Sequence, residues 1–301
     1  MASGNSRCER RPAALCGLVP GELDAVSESN NVVLRKLRAS NIPAAAQLSA
    51  EAGWNQTEED WRLLIHLAPE GCLAIEVEGV LAATATLLCY GRRLAWIGMV
   101  LTKMPYRGRG FARRLLNEAL TLADRMGIET VKLDATDQGQ PIYEKLGFRA
   151  EQAVERWSRP FFPESSKPEN LPGPTSAQNW YVTDHRAAGV DRSQLLEKLA
   201  AHNPPISIGS SYLLTRPGRL TRYLGPCVAD DPRSAHALIQ GAVQQSAYEW
   251  SWDLLPENVH AVAIAQELSF APNRHLLRMV RGKDLRAQEE AIYAIAGFEL
   301  G

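Results

Sequence analysis

Apolar positions fall into two spacings along this chain, and their alternation predicts an α/β fold. Val32–Leu37 (VVLRKL), Cys72–Val77 (CLAIEV), Leu81–Tyr90 (LAATATLLCY) and Leu94–Thr102 (LAWIGMVLT) are apolar runs of strand length. Glu78–Gly79 makes a hairpin-like turn between the second and third. Between the first two runs, Asn41 to Leu67 reads as one or two helices, with Thr57 followed by Asp60 as a capping signal. After the fourth run, Phe111, Leu115, Leu116, Ala119, Leu122 and Ala123 recur at helical spacing until Gly127 ends the pattern. Thr130–Ala135 (TVKLDA) is a fifth strand, and QPIYEKL is a short helix closed by Gly147. Gly98, inside the fourth strand, marks a bulge or a close backbone approach.

A stretch rich in Pro, Ser and Asn follows, Arg159–Asn179, and reads as a linker. Beyond it, Asp191–Ala201, Ser234–Gln245 and Glu257–Leu268 are helical. Tyr212–Thr215, Arg222–Leu224, Glu249–Leu255 and the run HLLRMV read as strands. DATDQGQPIYEKLGF, ending at Phe148, and LLPENVHAVAIAQELSF, ending at Phe270, share a strand end, a turn, a short helix and a small residue before Phe. The second half therefore reads as a diverged copy of the first. The expected organisation is a flexible tail over residues 1–30, a first domain over 31–158, a linker over 159–180 and a second domain over 181–301.

The totals narrow the partners. The 301 residues suffice for two domains, and 45% hydrophobic with 22% charged suits a globular chain. A net charge of −1 argues against a dedicated nucleic-acid binder, so any basic site is local. The five cysteines (Cys8, Cys16, Cys72, Cys89, Cys227) lack CxxC spacing and read as reduced thiols rather than metal ligands. No apolar run reaches a membrane span, and residues 1–30 lack an apolar signal core. The expected location is the cytoplasm.

The basic site is MVLTKMPYRGRGFARRLLNEAL, Met99 to Leu120. A strand runs into a glycine-punctuated turn and straight on into a helix. The first amides of a helix lack internal partners, and the helix dipole adds positive charge there. Glycines let the backbone approach phosphate oxygens. Arg107, Arg109, Arg113, Arg114 and nearby Lys103 supply charge. The turn lacks GxxxxGK[ST] and does not follow a first strand with GxGxxG, which disfavours nucleotide and dinucleotide folds.

What the turn does contain is [QR]-x-x-G-x-[GA], as Arg107, Gly110 and Ala112, with YEKLGF (Tyr143 to Phe148) downstream. This pair of motifs resembles the acetyl-CoA site of the GNAT (Gcn5-related N-acetyltransferase) superfamily. GWNQTEEDW, AWIGMVL, GPCVAD and the closing IYAIAGFELG extend the resemblance to its YitH-like tandem-domain group. The resemblance implies tandem GNAT-like domains, each with a mostly antiparallel central sheet flanked by helices and with splayed fourth and fifth strands. It implies an acyl-CoA-dependent N-acetyltransferase using acetyl-CoA and no metal, transferring acetyl to a primary amine. Low net charge and two tryptophans favour a small-molecule acceptor, with no nucleic-acid or membrane partner.

Carried over by position, Val100, Leu101 and Thr102 would offer main-chain bonds to the pantetheine arm. Arg107, Gly108, Arg109, Gly110, Phe111, Ala112 and Arg113 would wrap the pyrophosphate. Pro105 is displaced from the family's usual loop proline, so the turn leading into the loop is expected to differ. Tyr143 stands at the family's general-acid position; the alternative is an aromatic on an amphipathic helix. Asp134 either lines the site as a base or caps the following turn. Trp54 and Trp96 either wall the substrate pocket or belong to the core. Thr136 replaces an Asn common in the superfamily. In the second half Ala265 aligns with Tyr143 and Ser269 with Gly147, and Asp230 and Asp231 would repel phosphate, so one CoA site per chain is expected, with the second half a degenerate GNAT-like domain that closes the substrate cleft and its AIYAIAGFE reaching into that cleft. The competing readings are a non-catalytic acyl-CoA-binding sensor and a transferase with a longer acyl donor.

Overall fold

The computed structural model describes residues 32–161, 177–244, 248–285 and 287–301. The expected N-terminal tail, Cys8, Cys16 and most of the expected linker lie outside these residues. In the first half, β1 (Val32–Lys36) leads to the helices α1 (Ile42–Glu51) and α2 (Glu58–Leu67). The strands β2 (Cys72–Val77), β3 (Val80–Tyr90) and β4 (Leu94–Thr102) follow as a meander. Then come α3 (Phe111–Arg125), β5 (Thr130–Ala135), α4 (Gln140–Glu144) and β6 (Arg149–Arg159). Local chemistry explains the ends. At α2, the Asp60 amide donates to Thr57 Oγ1 at 3.3 Å and the Thr57 amide donates to Asp60 Oδ2 at 2.7 Å, closing a capping box. α3 buries Phe111, Leu115, Leu116, Ala119, Leu120 and Ala123 against the sheet and leaves its arginines outside.

From its paired helices on, the second half repeats the order, with no counterpart of β1 among the described residues and with one strand added at the end. α5 (Ala177–Ala188), α6 (Ser193–His202), β7 (Ile206–Ile208), β8 (Ser211–Arg216) and β9 (Arg222–Val228) precede α7 (Pro232–Gln244). β10 (Trp250–Leu254), α8 (Val259–Glu267), β11 (Ala271–Gly282) and β12 (Ile292–Ala294) complete it. The repeat survives in backbone detail. Gly147 has φ 85° and Ser269, a residue with a side chain, has φ 63°. The following amides, of Phe148 and Phe270, donate to the carbonyls of Tyr143 and Ala265 at 3.1 and 2.8 Å.

One sheet runs through both halves, in the order β1-β2-β3-β4-β5-β11-β6-β10-β9-β8-β7, with β12 on β9. Every pairing is antiparallel except β4–β5 and β9–β10. The halves exchange their last strands: β11 inserts between β5 and β6, and β6 pairs outward with β10. Sequence pattern misses β6 because its buried positions include the polar Gln152 and Arg156. Arg156 tolerates that position because Asp253 of β10 takes its guanidinium in two bonds of 2.6 Å. α5 begins inside the expected linker, where Trp180 is buried 5.2 Å from the Tyr212 ring.

Both parallel pairs are short. β4 meets β5 only over Leu94–Trp96 with Thr130–Lys132, and β9 meets β10 only over Arg222–Leu224 with Trp250–Trp252. Beyond these contacts each pair splays. In the second half β12 fills the wedge. Ile292 and Ala294 lie opposite Val228 and Cys227 of β9, and the Ile295 amide donates to the Asp253 carbonyl at 2.9 Å. Trp252 Nε1 donates to the Tyr293 carbonyl at 2.7 Å, and Asn258 donates to the carbonyls of Glu290 and Ile292. In the first half the wedge is a cavity. Among the described residues, no helix is long and apolar enough to cross a membrane.

Candidate active site

The first wedge opens at a bulge. Thr84 faces Leu101 and Thr86 faces Gly98, so the β3–β4 register slips between them. Met99 carries the slip with φ 50°, a strained value for a residue with a Cβ, and its carbonyl accepts from Thr84 Oγ1 at 2.9 Å. Past Trp96, β4 has no partner on its β5 side. Its main chain there is a free edge of the kind an extended arm can join.

That edge bounds a cavity of about 110 Å³. Gly98, Met99 and Val100 form one wall; Leu133, Asp134, Thr136 and Tyr143 form the opposite one. Trp54 and Gln56 reach it from the segment before α2. Arg156, Arg274 and Leu276 come from the exchanged strands, and Phe298 and Glu299 from the C-terminal segment. Gly98 is required here: a Cβ would stand 2.9 Å from the Glu299 backbone. The sequence signal at Gly98 thus reflects close approach, with the bulge one residue on.

Tyr143 is buried on α4, its ring edge-on to Phe148 at 6.0 Å. Burial pushes its phenol up to about 12, so it stays protonated through the physiological range. Its hydroxyl has no hydrogen-bond partner among the described residues. Asp134 has a fully buried side chain, and Arg278 of β11 grips it in two bonds of 2.9 and 3.1 Å. Burial raises the Asp134 carboxyl while Arg278 pulls it down. Its charge is thus committed to Arg278; the turn after β5 is instead tied by Thr136, whose Oγ1 accepts from the Gly139 amide at 3.3 Å. Of the two tryptophans, Trp54 lines the cavity and Trp96 does not. Trp96 lies in the core, its Nε1 donating to the Phe298 carbonyl at 2.8 Å and its ring 4.6 Å from the Arg278 guanidinium.

The basic turn adjoins the cavity's β4 wall. Pro105 sits in a single 3-10 turn, Met104–Tyr106, that leads into the loop. Gly110 is the residue before α3, with φ 76°, and a Cβ there would meet nothing within 4 Å. Its carbonyl accepts from the Arg114 amide at 3.0 Å, so the amides of Phe111, Ala112 and Arg113 precede the first helical bond. Arg107, Arg109, Arg113 and Arg114 are exposed around them. Arg107 Nε donates to the Thr102 carbonyl at 3.2 Å, and Arg109 lies 5.4 Å from the Tyr106 ring. An open helix N-terminus ringed by arginines fits a pyrophosphate.

Sequence reasoning expected AIYAIAGFE to reach the cleft, and Phe298 and Glu299 of that segment line the cavity; it did not single out Glu299, Arg216 or Arg274. Glu299 is buried, bonded to Arg216 at 2.8 Å and to Gln56 at 3.0 Å. Burial raises its carboxyl, opposed by Arg216. Arg216 also donates to Asp60 at 3.0 Å, which couples β8 to the α2 cap. The closing motif AIAGFELG was the only signal for these contacts, and strand pairing could not be read from it.

Comparison with known proteins agrees with this geometry. The Acetyltransferase (GNAT) family model matches residues 41–148, and an Acetyltransferase (GNAT) domain model matches residues 181–294. The uncharacterized N-acetyltransferase YitH of Bacillus subtilis is 30% identical over 182 residues, which span 59% of this chain and 61% of that protein. The crystal structure of a candidate acetyltransferase from Pyrococcus horikoshii covers 90% of this chain and 96% of its own, with a TM-score of 0.76 at 22% identity. That of a GCN5-related N-acetyltransferase from Sphaerobacter thermophilus covers 83% and 95%, with a TM-score of 0.62 at 14% identity. At these identities the solved structures speak for the fold; with the two matched models covering the greater part of the sequence, the chain belongs to the GNAT family as a tandem, YitH-like member.

Proposed function

We propose that the first half transfers an acetyl group from acetyl-CoA to the primary amine of a small molecule, and that the second half closes the acceptor pocket. The observation that carries this reading is the splayed β4 edge running directly into an open, arginine-ringed helix N-terminus, with a buried tyrosine across the gap.

In this reading the amides of Phe111, Ala112 and Arg113 hold the pyrophosphate, with Gly108 and Gly110 letting its oxygens come close and Arg107 and Arg109 adding charge. Val100, Leu101 and Thr102 give the pantetheine arm main-chain partners. Acetyl-CoA supplies a thioester whose carbonyl a neutral amine can attack. Tyr143 gives its proton to the departing sulfur, so that CoA leaves as a thiol of pKa about 8.5, and the proton shed by the attacking nitrogen restores the phenol. Asp134 serves as a charged floor clamped by Arg278, a placement that suits positioning better than proton abstraction. Trp54 forms part of the acceptor wall.

Calorimetric titration of acetyl-CoA tests the reading. One-to-one binding that Gly110→Glu abolishes is the expected result. Absence of binding by the wild-type chain overturns both the transferase and the sensor readings.

A further inference from the structure

The cavity beside Tyr143 carries two opposite and unfinished charges. Glu299 lines it and is bonded at 2.8 Å to Arg216, which lies behind the lining and also holds Asp60 at 3.0 Å, all three buried. Arg216 thus faces two carboxylates and cannot neutralise both. Gln56 Nε2 donates to Glu299, and its Oε1 is buried without a partner among the described residues. A buried acceptor without a donor is costly unless a ligand supplies one. Arg274, also in the cavity lining, is half-buried with no carboxylate partner among the described residues. Its guanidinium lies 5.9 Å from the Trp54 ring, and burial together with the neighbouring Arg156 makes its charge costly. The other charged pairs at the cavity are closed: Arg156 with Asp253, and Asp134 with Arg278.

Resting on the acetyltransferase reading above, we infer that the acceptor is a small amine that also carries a compact anion, its amino group received by Glu299 and Gln56 Oε1 and its anion by Arg274. Such a molecule completes both charges at once. A polyamine or an aminoglycoside would leave Arg274 facing a second cation, and a neutral amine would leave it bare. The cavity, about 110 Å³, suits an acceptor of amino-acid size. The anion is a carboxylate or a phosphate monoester, since a guanidinium binds either through two parallel bonds.

The test is thiol release from acetyl-CoA with matched acceptors: α-, β- and ω-amino acids, the amide of each, aminoalkyl phosphates and polyamines. Wild-type chain, Arg274→Gln and Arg274→Lys are compared, with acetyl-CoA titration of each as the fold control. The expected result is kcat/KM at least about 10-fold higher for an anion-bearing amine than for its neutral partner, the scale of a charged hydrogen bond. Arg274→Gln removes that preference, chiefly by raising KM for the anion-bearing amine, with acetyl-CoA affinity intact; Arg274→Lys restores part of it. The carboxylate and phosphate arms decide which anion is used. Equal or better turnover of amides or polyamines overturns the inference while leaving the transferase reading standing. So does an Arg274→Gln variant that slows all acceptors alike. Failure of the wild-type chain to bind acetyl-CoA removes the reading itself.

Discussion

The two halves share a plan and differ at the same two points. In the first half the helix after the parallel wedge starts at Gly110, whose missing side chain leaves the N-terminal amides open. In the second, Asp231 stands before α7 and accepts from the amides of Arg233 and Ser234 at 2.9 and 3.0 Å. Hydrogen bonds from Ser234 hold its carboxyl below the usual range. The anion site of the second half is thus filled by its own anion. In the first half the wedge between the parallel strands is a cavity; in the second, β12 lies in it as an added strand. One duplicated scaffold leaves the wedge and the helix amides open in one copy and closes both in the other.

Breaking this contrast should have its largest effect at Gly110. Gly110→Glu places a carboxylate on the open amides and is expected to weaken acetyl-CoA at least about 100-fold in calorimetry, as charge repulsion is added to lost backbone contact. The converse change, Asp231→Gly, is expected to leave stoichiometry at one, because β12 still occupies the second wedge. A measured stoichiometry of two would show that the halves differ less than their geometry says.

Next in size is the tyrosine. Tyr143→Phe is expected to lower kcat about 100-fold with acetyl-CoA affinity unchanged, the scale of a lost general acid. A change confined to KM would return Tyr143 to the core. Its raised pKa also fixes a pH dependence. The protonated phenol is favoured in the folded state, so its stabilising contribution is full below about pH 10 and declines as pH rises towards about 12. Alkaline denaturation of the wild-type chain against Tyr143→Phe isolates that contribution from the other buried tyrosines.

A smaller effect probes the second half. Asn258 caps α8 by accepting from the Ala261 amide at 3.1 Å and clamps β12 through two carbonyls. Asn258→Ala is expected to cost about 2 kcal/mol by denaturant unfolding, from a lost cap and unpaired carbonyls. Acetyl-CoA affinity should hold. The smallest effect is expected at Arg109. Its contact to Tyr106 is solvent-exposed, and the loop binds chiefly through its backbone, so Arg109→Ala should weaken acetyl-CoA only about threefold, less so at high salt. A larger loss would mean that side-chain charge outweighs the amides.

Local pattern carried the first half well. The four early strands, the α2 cap at Thr57 and Asp60, the helix after Gly110 and the turn at Gly147 all follow from short-range spacing. So did the alignment of Tyr143 with Ala265, both of which accept the closing bond of a helix end. What sequence could not carry was pairing at long range. β6 was illegible because its buried Arg156 is neutralised by Asp253, a residue of another strand. Arg274, Phe298 and Glu299 join the cavity only because strands are exchanged and the C-terminal segment crosses β4 at Gly98. Asp134 offered two roles by spacing, and its Arg278 partner sits on the exchanged β11.

The exchange also orders events during synthesis. β5 and β6 are consecutive strands, yet the place between them stays vacant until β11 has emerged from the ribosome, and Glu299 follows later still. A nascent chain carrying the whole first half therefore holds an unfinished sheet, with two facing edges exposed. Phe298 and Glu299 complete the cavity's lining, so a product truncated before them would lack that wall even with its arginine-ringed loop intact.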